Sequence, residues 1–244
     1  MSDGRECIVV TGASRGIGAA IAAALARQGR TVACLSRSGA LPAGVGAPSF
    51  ALKADVTQPE SVKASFDSLA SQGWRIAGLV NNAGVHIDGP SAEVPLADWH
   101  KVMDTNATSV LTGCQAAYPH LVAGGGGMIV NIGSFFDKLG VKRNVAYCAS
   151  KAAVGAITRV LAVEWASRKI RVMNVAPGYI LTDLNAQDLA AGGPLRSYLD
   201  KRIPGREPGT AADVGDLVAS LFSPAGRFLT GETIYVDGGQ GIAH

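Results

Sequence analysis

The chain is poor in charge and in aromatic rings. Asp, Glu, Lys and Arg make up 17% of its 244 residues, and Phe, Trp and Tyr only 6%. The apolar fraction is 48%, so disorder is excluded and a large core can form. Basic residues outnumber acidic ones by three, with no block of like charge, and no nucleic-acid partner is expected. No apolar run reaches the roughly 18 residues of a spanning helix. The opening Met1-Ser2-Asp3-Gly4-Arg5-Glu6 lacks the basic and apolar regions of a secretion signal. The expectation is a cytoplasmic protein without a membrane partner. Cys7, Cys34, Cys114 and Cys148 are scattered, as are His86, His100, His120 and His244, and neither set has metal-ligand spacing. The cysteines read as small buried thiols, and no metal is expected.

What is there is alternation. Strands are predicted at Glu6–Val10, Thr31–Leu35, Ser49–Lys53, Ile76–Val80, Met128–Ile132, Ile170–Val175 and Thr233–Val236. Helices are predicted between them: Gly16–Gln28, one running to Ser71, Ala97–Leu121, Tyr147–Ser167 and Thr210–Phe222. Thr57-Gln58-Pro59-Glu60 reads as a capping box opening the second helix. The pattern predicts an α/β chain with one doubly wound, Rossmann-like parallel sheet of about seven strands and helices on both faces. No linker or repeat divides it, so residues 1–244 form one domain. Residues 182–203 form an excursion in which Gly192-Gly193-Pro194 suits a substrate lid or a surface loop.

Thr11-Gly12-Ala13-Ser14-Arg15-Gly16-Ile17-Gly18 lies between the first strand and the first helix. Bare glycine backbone and a helix N-terminus are what a pyrophosphate needs. An NAD site usually offers an acid at the end of the second strand. Leu35-Ser36-Arg37-Ser38 offers none, and Arg15 and Arg37 together suit a 2′-phosphate, so NADP(H) is the expected cofactor.

Tyr147 and Lys151 stand four residues apart and share one helix face. A tyrosine ordinarily titrates near about 10. A neighbouring ammonium lowers that value, which would let the phenol exchange a proton with a carbonyl oxygen.

Together these residues resemble the short-chain dehydrogenase/reductases along essentially the whole chain. Gly12, Gly16 and Gly18 match the family's glycine motif, Asp55-Val56 its adenine-binding pair and Asn82-Ala83-Gly84 the segment after the fourth strand. Asn106, Ser134, Tyr147 and Lys151 match its catalytic four. The resemblance implies cofactor contacts from Ser14, Arg15 and Ile17 in the turn. Further contacts would come from Pro177, Gly178, Ile180 and Thr182 at the nicotinamide end. It implies hydride transfer between nicotinamide C4 and a small-molecule carbonyl, with Tyr147 giving the proton and Ser134 orienting the oxygen. Lys151 would tune the tyrosine and hold the ribose, and Asn106 would retain a water linking Lys151 to solvent. A homotetramer would be usual.

Within the family the chain is most similar to the beta-ketoacyl-acyl-carrier-protein reductases and NADPH-dependent carbonyl reductases. Ile203-Pro204, Arg206, Thr230-Gly231-Glu232-Thr233 and Asp237-Gly238-Gly239 carry that likeness. The stretch Val122–Met128 is uncharged where those reductases tend to be basic, which removes half of a docking platform for an acidic carrier and leaves Arg168 and Lys169. Phe135, Phe136, Leu139 and Tyr179 are substrate-facing candidates, or else core or subunit-contact residues. Two readings without redox chemistry stay open: an NADP-binding regulatory or scaffold protein, and a lyase or epimerase.

Overall fold

A computed structural model describes residues 5–182, 185–189 and 196–243. In chain order the elements are β1 (Glu6–Thr11), α1 (Gly16–Arg27), β2 (Thr31–Ser36), β3 (Phe50–Lys53), α2 (Pro59–Ser71), β4 (Arg75–Asn81), α3 (Leu96–Met103), α4 (Ser109–Ala123), β5 (Gly127–Ile132), α5 (Val145–Trp165), β6 (Ile170–Pro177), β7 (Ile180–Leu181), α6 (Ala186–Leu189), α7 (Arg196–Arg202), β8 (Gly209–Thr210), α8 (Ala211–Leu221) and β9 (Thr233–Val236). Seven strands form one sheet in the order β3-β2-β1-β4-β5-β6-β9. Every pairing in it is parallel. This is the expected single Rossmann-like domain.

The near-continuous apolar strands follow from burial on both faces. In β1, Ile8 and Val10 pack with Ile21 and Leu25 of α1 and with Val214 and Val218 of α8. Cys7 and Val9 point the other way, toward Phe66 and Leu69 of α2 and Val110 and Leu121 of α4. The period-two alternation of the strand thus feeds two cores. The sheet order reverses between β1 and β4, so the connections leaving their carboxyl ends diverge and open a crevice there.

Several sequence expectations are corrected. The helix expected over Ala97–Leu121 is α3 and α4 joined by a wide π turn at Asp104–Thr108. No capping box forms at Thr57–Glu60: Gln58 caps α2 without a side-chain bond, while the Thr57 amide and hydroxyl both donate to Asp55 Oδ1. Asp55 is the nearer acceptor and closes a local turn instead. A capping box does form at α8, where the Thr210 hydroxyl accepts from Asp213 N–H and Asp213 accepts in return. One helical stretch, Val145–Arg168, is 24 residues long and apolar enough to cross a membrane. Its inner face packs on the sheet and buries Ser150, Lys151 and Thr158. Gly192-Gly193-Pro194 lies outside the described residues, and α6 and α7 account for most of the described part of that excursion.

Candidate active site

The crevice begins at the glycine turn. Gly12 has φ +64°, and a Cβ there would lie 2.8 Å from Ala83 Cα. A Cβ on Gly18 would lie 2.3 Å from the Gly12 carbonyl oxygen. Only bare backbone lets β1, α1 and the end of β4 approach so closely. Asn82 locks the junction: its Nδ2 donates to the carbonyls of Thr11 at 3.0 Å and Gly12 at 3.2 Å. Thr11 Oγ1 accepts in turn from the amides of Asn82 and Ala83. Arg15 stands extended at the N-cap of α1 with no side-chain cap, so the first N–H groups of the helix remain available to an anion. Arg15 and Arg37 are exposed, Ser14 is half-buried and Ile17 packs partly on the core.

Asp55 follows β3. Its carboxyl is held below the usual range, first by the Thr57 amide and hydroxyl and to a lesser degree by the charge of Arg37. Val56 packs against the second core, and Ile180 is buried in the first. Thr182 reaches the glycine turn: a Cβ on Gly16 would meet its Cγ2 at 3.8 Å. Pro177 ends β6, and Gly178 N–H donates to Val236 O. The glycine turn, Asn82 and Thr182 come together at this crevice, and the backbone geometry of the turn fits a pyrophosphate.

Ser134, Tyr147, Lys151 and Asn106 gather where β4 and β5 end. Ser134 follows β5 in extended conformation and caps the turn Phe135–Asp137, accepting from Phe136 N–H at 3.3 Å. Tyr147 and Lys151 lie in the first two turns of α5. Lys151 is 5% exposed, and its Nζ donates to Ile132 O at 2.8 Å and lies 5.7 Å from the centre of the Tyr147 ring. Asn106 sits in the π turn with both ends of its side-chain amide engaged. Its Nδ2 donates to Val85 O and Ser150 Oγ, and its Oδ1 accepts from Val85 N–H. Ser150 donates onward to Tyr147 O at 2.8 Å, which ties Asn106 to the tyrosine's own backbone. The sequence reading missed Ser150 and also Asn144; in hindsight Ser150 was legible only as the residue before Lys151.

The electrostatics differ from expectation. Burial pushes the Tyr147 phenol above its ordinary 10, and the Ser134 hydroxyl offsets part of that by hydrogen bonding. Burial also drives Lys151 down from 10.5 to about 8. The ammonium does not lower the tyrosine here because it is itself desolvated and directed at Ile132 O. The result is a phenol that stays protonated at neutral pH.

Beyond Ser134 lies a chain of rings. Phe136 meets Tyr147 edge-on at 5.7 Å, Phe135 contacts Phe136 at 4.8 Å and Tyr179 at 5.6 Å. Phe135 and Phe136 are buried and Leu139 is half-buried. Tyr179 packs on Leu199 and Ile203. Among the described residues, no group of His, Cys, Asp and Glu is placed to hold a metal.

A parallel sheet with a glycine turn at its switch point, and a tyrosine–lysine helix beside it, defines a dinucleotide-binding oxidoreductase. The family profile described as enoyl-(acyl carrier protein) reductase matches residues 12–240. The chain is 35% identical to 3beta-hydroxysteroid dehydrogenase 1 of Eggerthella lenta, covering 96% of this chain and 93% of that one. It is 36% identical to the 3-oxoacyl-(acyl-carrier-protein) reductase FabG of Staphylococcus aureus, over 95% and 96% of the two chains. A crystal structure of a putative gluconate dehydrogenase from Agrobacterium tumefaciens superposes with a TM-score of 0.91 at 31% identity, over 99% of this chain and 98% of the other. The chain belongs to the short-chain dehydrogenase/reductases, oxidoreductases that use a nicotinamide cofactor.

Proposed function

We propose that the protein is an NADPH-dependent reductase of ketones, run in reverse on secondary alcohols. The observation that carries this reading is the convergence of Ser134 and Tyr147 on one point of the crevice, with the phenol held protonated. When bound, the nicotinamide supplies the hydride. Tyr147 gives its proton to the carbonyl oxygen as that oxygen gains charge. Ser134 donates a hydrogen bond to the same oxygen and fixes its position. Lys151, on the same helix face, reaches the nicotinamide ribose and supplies the proton that restores the phenol. Asn106 holds Val85 and Ser150, and so keeps the floor of the site in place. Asn106 also orders the water through which Lys151 is reprotonated.

Arg15 and Arg37 support NADPH, since both are exposed beside the turn and neither is in an ion pair among the described residues. Phe135, Phe136, Leu139 and Tyr179 supply an apolar wall for the substrate, with the excursion over 182–203 as its lid. We assign a homotetramer, supported by Val160 and Val163 exposed at 53% and 81% on the outer face of α5. We place the protein in the cytoplasm, which suits its four free cysteines.

A second reading, reduction of 3-oxoacyl groups on an acyl carrier protein, is favoured by the likeness to the staphylococcal reductase. The experiment that separates the readings follows oxidation of NADPH and NADH with small ketones, acyl thioesters and acyl-carrier thioesters at two ionic strengths. Turnover of small ketones with NADPH, hardly changed by salt, supports the first reading. A large, salt-sensitive preference for the carrier would establish the second. Cofactor binding without turnover of any carbonyl would leave a regulatory NADP-binding protein.

A further inference from the structure

His86 belongs to none of the motifs, yet its imidazole stands beside the catalytic phenol. Its ring meets the Tyr147 ring edge-to-face at 4.8 Å with an interplanar angle of 71°. Its Nε2 is bonded to Oδ1 of Asn144, a residue only 8% exposed. That contact fixes the tautomer. Asn144 Nδ2 donates to Lys142 O at 2.8 Å. A backbone carbonyl only accepts, so the amide nitrogen must face Lys142 and the amide oxygen must face His86. An amide oxygen only accepts as well, so Nε2 carries the hydrogen, and in the neutral imidazole Nδ1 keeps its lone pair. Nδ1 has no hydrogen-bond partner among the described residues, and the side chain is exposed at the crevice.

Support of the loop does not require this arrangement. Val85 is already held through both its N–H and its carbonyl by Asn106. Gly89 N–H donates to Arg143 O at 2.8 Å, and Asp88 pairs with Arg143 at 3.0 Å. The loop is anchored on either side of His86 without it. What the Asn144 contact adds is orientation: one ring nitrogen is tied down and the other is presented, preorganised, as an acceptor.

We propose that His86 is a specificity-determining residue whose Nδ1 accepts a hydrogen bond from a hydroxyl on the carbon next to the reacting carbon. The preferred substrates are then vicinal diols and the matching α-hydroxy ketones. The inference rests on the reading of Tyr147 as the group that meets the reacting oxygen. A second oxygen one carbon away falls toward the ring that abuts the phenol, and a lone pair there selects a donor over a second carbonyl or a carboxylate. Phe136, the other ring against Tyr147, offers no such partner and suits the apolar substituent.

The test measures kcat/KM for matched pairs, 2,3-butanediol against 2-butanol and 2,3-hexanediol against 2-hexanol, in wild type, His86→Leu and His86→Gln. The wild type is expected to prefer the diols. His86→Leu should lose about five- to tenfold on the diols, the worth of one neutral hydrogen bond, and stay within about twofold on the mono-alcohols. His86→Gln keeps a donor for Asn144 and an acceptor for the substrate, and should recover part of the preference. An equal fall on diols and mono-alcohols would make His86 a structural support and overturn the proposal. So would a diol-to-mono-alcohol ratio that does not move. If no variant, wild type included, turns over any alcohol or ketone, the reading of Tyr147 itself has failed.

Discussion

The two ends of the crevice are built from different materials. At the nucleotide end the shape is set by backbone: Gly12 and Gly18 close against neighbouring main chain, and Asn82 and Thr11 stitch β1 to β4 through carbonyls and amides. At the end proposed to take the substrate it is set by side chains: Phe135, Phe136, Tyr147, Tyr179 and His86 touch ring to ring. A backbone-built site can be altered only by disturbing the fold, because a Cβ on Gly12 or Gly18 meets main chain. A ring-built site can be recut by exchanging side chains, since aromatic contacts tolerate replacement at modest cost. The same scaffold can therefore keep one cofactor geometry and change substrates. The similarity to proteins named for a steroid, an acyl carrier and gluconate agrees with that division.

The largest expected effect tests whether the chemistry sits on a single atom where the two ends meet. Tyr147→Phe keeps the ring contacts with His86 and Phe136 and removes only the hydroxyl. Its kcat should fall by about 10²–10⁴-fold, the usual worth of a general acid. NADPH binding, measured by fluorescence titration, should stay close to wild type. Retention of more than about a tenth of wild-type kcat would remove Tyr147 from the proton-donor role.

Next in size is the charge buried at the junction. Lys151 is depressed from 10.5 to about 8 in the folded protein because burial penalises its ammonium. The unfolded chain keeps the proton up to about 10.4. Below pH 8 both states are protonated and the folded state carries the whole penalty. Between pH 8 and 10.5 the unfolded state binds more protons, so this group's contribution to stability rises with pH. Lys151→Met should remove that slope. It should also stabilise the cofactor-free protein at pH 7 by up to about 3 kcal/mol, less the lost bond to Ile132 O. Urea denaturation at pH 7 and pH 10 checks it, and an unchanged pH slope in the variant would show that the lysine is not strained by burial. Loss of the slope would show that the lysine persists for function at a cost in stability, as charged groups at working sites often do.

The difference between the ends also explains what the sequence showed. Glycine spacing between a strand and a helix is a backbone requirement, so it is legible in Gly12, Gly16 and Gly18, and the alternation of apolar runs announced the parallel sheet. The π turn at Asp104–Thr108 was not legible, because nothing in Asp-Thr-Asn-Ala-Thr breaks a helix; the turn serves to aim Asn106 at Val85 and Ser150. Thr57 and Thr210 carry the same short pattern, and only the second forms a capping box, because Asp55 competes for the first. The raised phenol at Tyr147 is not legible either, since spacing gives Tyr147 and Lys151 a shared helix face but not the depth of burial. His86 looked like a stray histidine because its partner, Asn144, is 58 residues away in sequence.

The smallest effect concerns the exposed rim of the backbone-built end, the one place where side chains decide something there. Arg37 is exposed, and its charge is felt by Asp55, whose carboxylate is already engaged by Thr57. The guanidinium is therefore free to turn toward a 2′-phosphate. A charge-assisted hydrogen bond is worth about 1.5–3 kcal/mol, and exposure with Asp55 nearby places this one at the low end. Arg37→Ala should cut kcat/KM for NADPH by about tenfold and leave NADH within about twofold, narrowing the preference without reversing it, because Arg15 remains. Arg15→Ala should act similarly, and the double variant should approach parity. Because the two guanidinium groups would share one phosphate, their effects should combine to less than the sum. A wild type that prefers NADH would overturn the NADPH assignment while leaving the tyrosine chemistry untouched, since the rim and the phenol sit at opposite ends of the crevice.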